Sequence, residues 1–287
     1  MEVKRGLLLI SLLIGSYLPA PELQNVASPA KKASRARTAS RPLIIAHRGG
    51  AKESTENTIA AFQRAIGIGS DGIETDLRLT ADGVVIIYHD EKFGRVEGFE
   101  TPVKPISEMP LAEITSHTLT PVGEDKGGRK VPTLENVLDS IDRGLLNIEI
   151  KSGPRFDELV TRTIAILKDF KDIDRVVLEP PDLETARRLR DTLGSNLKLH
   201  INPAYNKAVP FEVSLEEVLR FKPHSISVSY RKLTFETVEL AHKAGVEVWV
   251  WTVDRPEIAE AIVLLGADAI KTDIPSTMLR LFKRSSK

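Results

Sequence analysis

The chain contains no cysteine. That removes disulfides, thiolate metal ligands and a cysteine nucleophile from consideration together. It fits either side of a membrane and does not choose a compartment. A long hydrophobic run is also lacking: the apolar stretch Gly6 to Leu18 has thirteen residues, whereas a membrane span needs about 20. Net charge is lacking too, with 40 Lys/Arg against 40 Asp/Glu. There is no basic domain to form a nucleic-acid groove. A glycine-rich fingerprint of the GxGxxG kind does not follow the first apolar strand pattern, which argues against an open dinucleotide-type sheet.

The balanced charge hides an asymmetry. Residues 1–41 hold seven Lys/Arg (Lys4, Arg5, Lys31, Lys32, Arg35, Arg37, Arg41) against Glu2 and Glu22, leaving 33 basic and 38 acidic residues, a net of −5, for the rest. Lys4-Arg5 followed by the Gly6–Leu18 run reads as the basic and apolar parts of a secretory signal within residues 1–20. The expectation is an exported protein, periplasmic or secreted, with an uncleaved membrane anchor as the alternative. Residues 21–41 are rich in Ala, Ser, Pro, Lys and Arg with no apolar period, so they read as a linker. Its basic end reads as solvated, with association to an anionic membrane surface as the alternative.

The rest of the 287-residue chain, residues 42–287, is long enough for one large domain. Short β-branched runs alternate there with stretches of helical period, such as Ile59, Phe62, Ile66 and Leu159, Val160, Ile164, Leu167. The first helix is expected to be capped by Ser54 or Thr55, with Glu56 in its first turn, and to stop by Gly67 or Gly69. Repeated strand–helix units with apolar strands predict a parallel sheet covered on both faces. About eight units suit a (β/α)₈ barrel, with a doubly wound open sheet as the alternative. Nine strand-like runs are visible, one too many. Val84–Tyr88 follows Gly72–Leu77 after only Thr80-Ala81-Asp82-Gly83, too short for a parallel crossover. One of these two runs is therefore expected to be a hairpin arm or an irregular extension. The Gly-, Pro- and Glu-rich segment 94–130 reads as an insertion over the active face.

Four strand ends carry chemistry. They are Ala46-His47-Arg48-Gly49-Gly50, Ile73-Glu74-Thr75-Asp76, Tyr88-His89-Asp90 and Ile148-Glu149-Ile150-Lys151. Residues two apart on a strand share a face, so Glu74 and Asp76 point the same way, as do Glu149 and Lys151. Three carboxylates on buried strands repel each other and cost several kcal/mol unless a cation lies among them. Glu74, Asp76 and Glu149 are therefore candidate metal ligands, and oxygen ligands imply a hard divalent ion, Ca²⁺ or Mg²⁺. His47 and His89 are candidate proton donor and acceptor. Arg48 and Lys151 are candidate phosphate contacts. Glu56 and Asn57 are ambiguous between helix capping and substrate contact. Trp249 and Trp251 share one face, and Trp251, nearer the C-terminal end, is a candidate substrate wall. Asp273 ends the last run on the same rim and is a weaker candidate. In the sequence, His117, His200, His224 and His242 stand in no comparable motif.

Together these segments resemble the glycerophosphodiester phosphodiesterase family. His47-Arg48-Gly49 with Glu56-Asn57-Thr58, Glu74-x-Asp76, His89-Asp90, Glu149-Ile150-Lys151, Trp251-Thr252-Val253-Asp254 and Thr272-Asp273-x-Pro275 occur in the family's order. The resemblance implies a (β/α)₈ barrel that hydrolyses glycerophosphodiesters to glycerol 3-phosphate and an alcohol with a divalent cation. By the same resemblance, His47 and His89 form the acid–base pair, Glu74, Asp76 and Glu149 hold the metal, and Arg48 and Lys151 contact phosphate. Two departures lie beside the chemistry. Ser54-Thr55 precede Glu56 where the family commonly has Pro, and Glu91-Lys92-Phe93-Gly94-Arg95 follows His89-Asp90 where it usually has Thr-Leu-x-Arg. The expected partner is a small phosphodiester. A phospholipase-type or lysophospholipase D activity is the alternative, and a non-catalytic envelope binding domain the remote one.

Overall fold

A computed structural model describes residues 41–98, 103–123 and 129–283. The signal-like segment 1–20 and the linker up to residue 40 lie outside the described residues. Among the described residues no helix is long and apolar enough to cross a membrane. Arg41, the last linker residue, grips the Asp71 carboxylate at 2.5 and 2.9 Å.

The strands form where short β-branched runs set apolar side chains on the face turned to the helices. They are β1 Leu43–Ala46, β2 Gly72–Leu79, β3 Val85–Ile87, β4 Leu145–Ile150, β5 Val176–Glu179, β6 Lys198–Ile201, β7 Ser225–Ser229, β8 Glu247–Trp251 and β9 Ala269–Thr272. The helices are α1 Ile59–Gly67, α2 Leu111–Ser116, α3 Leu134–Ser140, α4 Phe156–Lys168, α5 Leu183–Leu193, α6 Phe211–Phe221, α7 Phe235–Lys243, α8 Pro256–Leu265 and α9 Pro275–Leu281. Eight strands pair in parallel in the order β1-β9-β8-β7-β6-β5-β4-β2, and β1 also pairs with β2. The sheet is thus closed, a (β/α)₈ barrel with no exposed edge. The surplus ninth run is β3. It pairs antiparallel with the overhanging end of β2, with Leu77 opposite Ile87 and Leu79 opposite Val85.

Strand alternation sorts the side chains. Ile44, Ile73, Leu77, Ile148, Leu178, Val228, Val250 and Ile270 face the helices and form the main core. Each such side chain contributes roughly 1.5–3 kcal/mol by leaving water. The inward positions hold only a small apolar plug, Ile45, Val177, Trp249 and Ala269. Above that plug the barrel interior turns polar, with Glu74, Asp76, Asn147, Glu179, His200, Ser227 and Lys271 all buried. An interior of this kind is costly to fold, so its charges must be compensated.

The start of the first helix differs from expectation. Ser54 and Thr55 are not its cap. Thr58 is, accepting from the Ala61 N–H at 3.2 Å. Asn57 has a positive φ of 57°, so the chain cannot enter the helix one turn earlier. Ser54 and Thr55 are instead buried in the preceding loop, where Thr55 Oγ1 accepts from the Val122 N–H at 3.2 Å. Glu56 therefore lies outside the helix. The insertion runs from β3 to α3 and carries a separate small core: Ile86, Tyr88, Phe93, Ile106, Met109, Ile114, Leu119 and Val131.

Candidate active site at the C-terminal rim

Glu74 and Asp76 lie on the inward face of β2, and β4 sets Glu149 directly beside Asp76 in register. The three offer carboxylate oxygens that all lie within 4.8 Å of one another. Their mutual repulsion is legible in their titration. Burial, the neighbouring carboxylates of Glu179, Asp76 and Glu74, and only partial relief from Lys151 push Glu149 up to about 7. Burial and Asp76 likewise raise Glu74. Burial would raise Asp76 too, but Lys151 and Arg48 overcome it and hold it low. Three converging oxygen donors, one of them hard to ionise without added positive charge, fit a hard divalent cation.

Two cations of the protein share this ground. Lys151 Nζ lies 3.0 Å from Asp76 Oδ1 and 2.8 Å from Glu149 Oε1. Arg48 Nε lies 3.5 Å from Asp76 Oδ2, and its Nη1 donates to Glu56 Oε1 at 3.2 Å. Arg48 reaches this place through a left-handed backbone, φ 51°, which a non-glycine residue adopts only under constraint. The constraint is visible. Its N–H donates to Glu74 Oε2 at 3.0 Å, and its carbonyl accepts from Asn57 N–H at 2.9 Å. Asn57 Nδ2 in turn donates to Asp76 Oδ2 at 2.9 Å, while Asn57 Oδ1 accepts from Thr75 Oγ1 at 3.0 Å. Asn57 thus braces a candidate ligand from a buried position.

The two histidines are built alike. His47 Nδ1 lies 2.6 Å from Asp273 Oδ1, and His89 Nδ1 lies 2.7 Å from Asp90 Oδ1. A carboxylate only accepts, so each Nδ1 carries the proton and each Nε2 is turned to other work. His47 Nε2 is 3.8 Å from Glu74 Oε2. Burial disfavours the His47 imidazolium, but Glu74 and Asp273 outweigh it, and its pKa is raised. His89 goes the other way. Burial lowers it, and Lys151 and Arg48 add to that against the pull of Asp76. One ring is biased toward the cation and the other toward the neutral base.

All of Glu74, Asp76, Glu149, His47, His89, Arg48, Lys151, Glu56 and Asn57 therefore meet at the rim. Trp251 ends β8 on the same rim, half-buried, with no polar link to the carboxylate trio among the described residues. Residues that sequence reasoning ranked low or gave no role also belong here. Asp273, ranked weakly, is the partner of His47. The signal for it was the two-residue alternation from Lys271, which sets both on the inward face. Asp254 Oδ1 accepts from the Asp273 N–H at 2.8 Å and from Thr272 Oγ1 at 3.1 Å, and Lys52 Nζ sits 2.7 Å from Asp254 Oδ2. Deeper in the barrel, Lys271 Nζ meets Glu179 Oε2 at 2.5 Å, with His200 Nε2 3.7 Å from the same oxygen. Burial would raise Glu179, yet Lys271 and His200 hold it at about 2.

Comparison with known proteins places this geometry. The sequence profile of the glycerophosphoryl diester phosphodiesterase family matches residues 47–277. A glycerophosphodiester phosphodiesterase of Caldanaerobacter subterraneus is 34% identical, over 84% of this chain and 98% of that protein. A human lysophospholipase D is 27% identical, over 83% of this chain and 85% of that protein. The crystal structure of a glycerophosphodiester phosphodiesterase from Thermotoga maritima superposes with a TM-score of 0.68 at 28% identity, covering 85% of this chain and 99% of that one.

Proposed function

The chain belongs to the glycerophosphodiester phosphodiesterase family, and on that footing we propose that it hydrolyses glycerophosphodiesters to glycerol 3-phosphate and an alcohol by acid–base catalysis between His47 and His89. The observation that carries this reading is the pair of histidines. Each is tied at Nδ1 to its own carboxylate, and both flank one acidic trio.

Glu74, Asp76 and Glu149 are the residues that would hold a divalent ion, Mg²⁺ or Ca²⁺. Once bound, such an ion supplies positive charge against the phosphoryl group and lowers the pKa of a nearby attacking hydroxyl. Arg48 and Lys151 orient the phosphate, their charges spread over neighbouring carboxylates when no substrate is present. His89, biased to the neutral form, accepts the proton of the nucleophile, either water or the glycerol hydroxyl of the substrate. His47, biased to the cation, donates to the leaving alkoxide. Each proton transfer is worth about 10² to 10⁴ in rate. Asp273 and Asp90 keep the rings in the tautomer these transfers need.

The test is an assay of the full chain on a panel of glycerophosphodiesters, with chelator and metal add-back. Metal-dependent release of glycerol 3-phosphate is expected, and its absence across the panel refutes the reading. His47→Ala should lose far more activity on alkyl diesters than on glycerophospho-p-nitrophenol, whose leaving group (pKa about 7) needs little protonation. Equal losses on both would remove His47 from the donor role. The human lysophospholipase D relative supports a second reading, head-group release from lysophospholipids, and lysolipids in the same panel decide it. The basic and apolar N-terminal segment supports export, with cell fractionation as the check.

A further inference from the structure

Arg95 has no part in the roles given above, yet it joins two carboxylates at the rim of the site. It comes from the insertion, on a segment anchored from beneath. Phe93 is fully buried, with its ring 5.8 Å from Tyr88 and 5.1 Å from His117, centroid to centroid. The Gly94 N–H donates to Glu97 Oε2 at 2.9 Å, and the Val96 carbonyl accepts from the Thr120 N–H at 2.8 Å. The backbone of Arg95 is thereby placed, although its side chain is about half exposed (49%).

The guanidinium bridges two carboxylates. Nη2 and Nη1 donate to Glu56 at 2.6 and 3.0 Å, and Nε donates to Asp90 Oδ2 at 2.5 Å. Each carboxylate has a second partner inside the site. Asp90 holds His89 at Nδ1, and Glu56 holds Arg48 at Nη1. His89 follows the hairpin strand β3, whereas Arg48 follows β1, and the two do not share a strand. A planar fork with five donors holds Glu56 through two nitrogens and Asp90 through a third in a fixed geometry, whereas an ammonium offers a point charge on a flexible stem.

We propose that Arg95 is a positioning residue for the hydrolysis, a clasp that sets the spacing between the His89 arm and the Arg48 arm. This rests on the reading under Proposed function. Half-exposed ion pairs of this kind contribute little to stability, so the fold stands without it.

The experiment uses the full chain with Mg²⁺ or Ca²⁺ and the variants Arg95→Met, Arg95→Lys, Asp90→Asn and Arg95→Met with Asp90→Asn. Arg95→Met should lower kcat by about 30-fold while KM and calorimetric metal affinity stay within about threefold. Arg95→Lys, which keeps the charge and one carboxylate, should recover to within about fivefold of wild type. The double variant should be no slower than the slower single one, because both cut the same link. A kcat within about twofold of wild type overturns the proposal. So does a loss confined to KM, which would make Arg95 a substrate contact, or a multiplicative double variant. A readout free of turnover is the His89 imidazole resonance of the metal-free protein. It should move in Arg95→Met while that of His47 does not, and no movement overturns the clasp even if wild-type protein proves inactive. An inactive wild type would instead refute the reaction itself.

Discussion

Asp273→Asn removes one charge from one ring and leaves the barrel intact. The perturbed bond is short, 2.6 Å from His47 Nδ1, with side chains 18% and 16% exposed, so solvent screens it weakly. Charge-assisted bonds of this type contribute about 1.5–3 kcal/mol. At about 1.36 kcal/mol per pKa unit, the His47 pKa should fall by about one to two units. The sign follows from the causes: Asp273 raises the His47 pKa both as hydrogen-bond partner and as charge, so its loss lowers it. If His47 is the donor, the alkaline limb of the pH–rate profile moves to lower pH by that amount. The loss of kcat should reach its ceiling of about 10- to 100-fold at pH above the wild-type alkaline limb, and should be smaller at pH 7, where His47 is biased to the cation. Because the Asn oxygen still accepts from Nδ1–H, the tautomer is kept and the loss is one of charge. The assay is kcat against pH on an alkyl glycerophosphodiester, repeated on glycerophospho-p-nitrophenol, where the defect should shrink. A kcat within about threefold of wild type, with the alkaline limb unmoved, would refute the coupling of Asp273 to proton donation.

Three further expectations follow from the buried charges and the tight turn. With Glu149 at about 7, cation binding must displace its proton. Calorimetry at pH 6 in buffers of different ionisation enthalpy should show close to one proton released per ion, falling as pH rises past 7, and no release at pH 6 would count against Glu149 as a ligand. Lys271→Met leaves Glu179 buried and unpaired, at a cost of about 3–5 kcal/mol seen in chemical denaturation, and adding Glu179→Met should recover most of it. Glu179, held at about 2, contributes stability that is present above the ordinary glutamate range and lost as pH falls toward 2; Lys271→Met should flatten that acid limb. Gly49 has φ +81°, and a Cβ there would lie 2.8 Å from Ala61 Cβ and 3.0 Å from Phe62 Cδ1. Gly49→Ala should therefore cost about 1–3 kcal/mol and displace His47 and Arg48, which a melting scan and a kcat measurement would register together.

The parts of the molecule set by period were readable in the chain. The alternation of strand-like and helical runs predicted the (β/α)₈ barrel that forms, and Gly67 does end the first helix. Inward pairs such as Glu74 with Asp76 follow from alternation alone. What alternation does not carry is contact between distant segments. Asp90 and Asp273 are both polar residues at strand ends, and nothing local separates a solvated carboxylate from one that holds a histidine. The helix start was misplaced for a related reason. Ser54, Thr55 and Glu56 have the composition of a cap, but Asn57 takes a left-handed conformation to brace Asp76, and Thr55 is drawn to the insertion. Tertiary partners overrode a sound local signal. Glu179 with Lys271 was missed because each alone reads as a strand-end charge, and their pairing spans 92 residues.

The ninth strand explains why the second histidine is where it is. A barrel wall of eight strands offers the rim only what its own strand ends carry, and β1, β2 and β4 already supply His47, Glu74, Asp76 and Glu149. The opposing ring has to enter from above that wall. β2 overruns the barrel by several residues, and β3 folds back on the overhang, antiparallel, with Arg78 opposite Ile86. The Tyr88 N–H then donates to the Asp76 carbonyl at 2.9 Å, which seats the next residue, His89, over the acidic trio. Arg78 fastens it from the other side, its Nη2 donating to the His89 carbonyl at 2.9 Å and its Nη1 to the Ser152 carbonyl at 2.8 Å. The hairpin is held in turn by the insertion core through Ile86 and Tyr88. The surplus strand is thus a bracket for one imidazole. The insertion beyond it braces that bracket, which ties the packing of Phe93, Met109 and Leu119 to the position of the His89 imidazole.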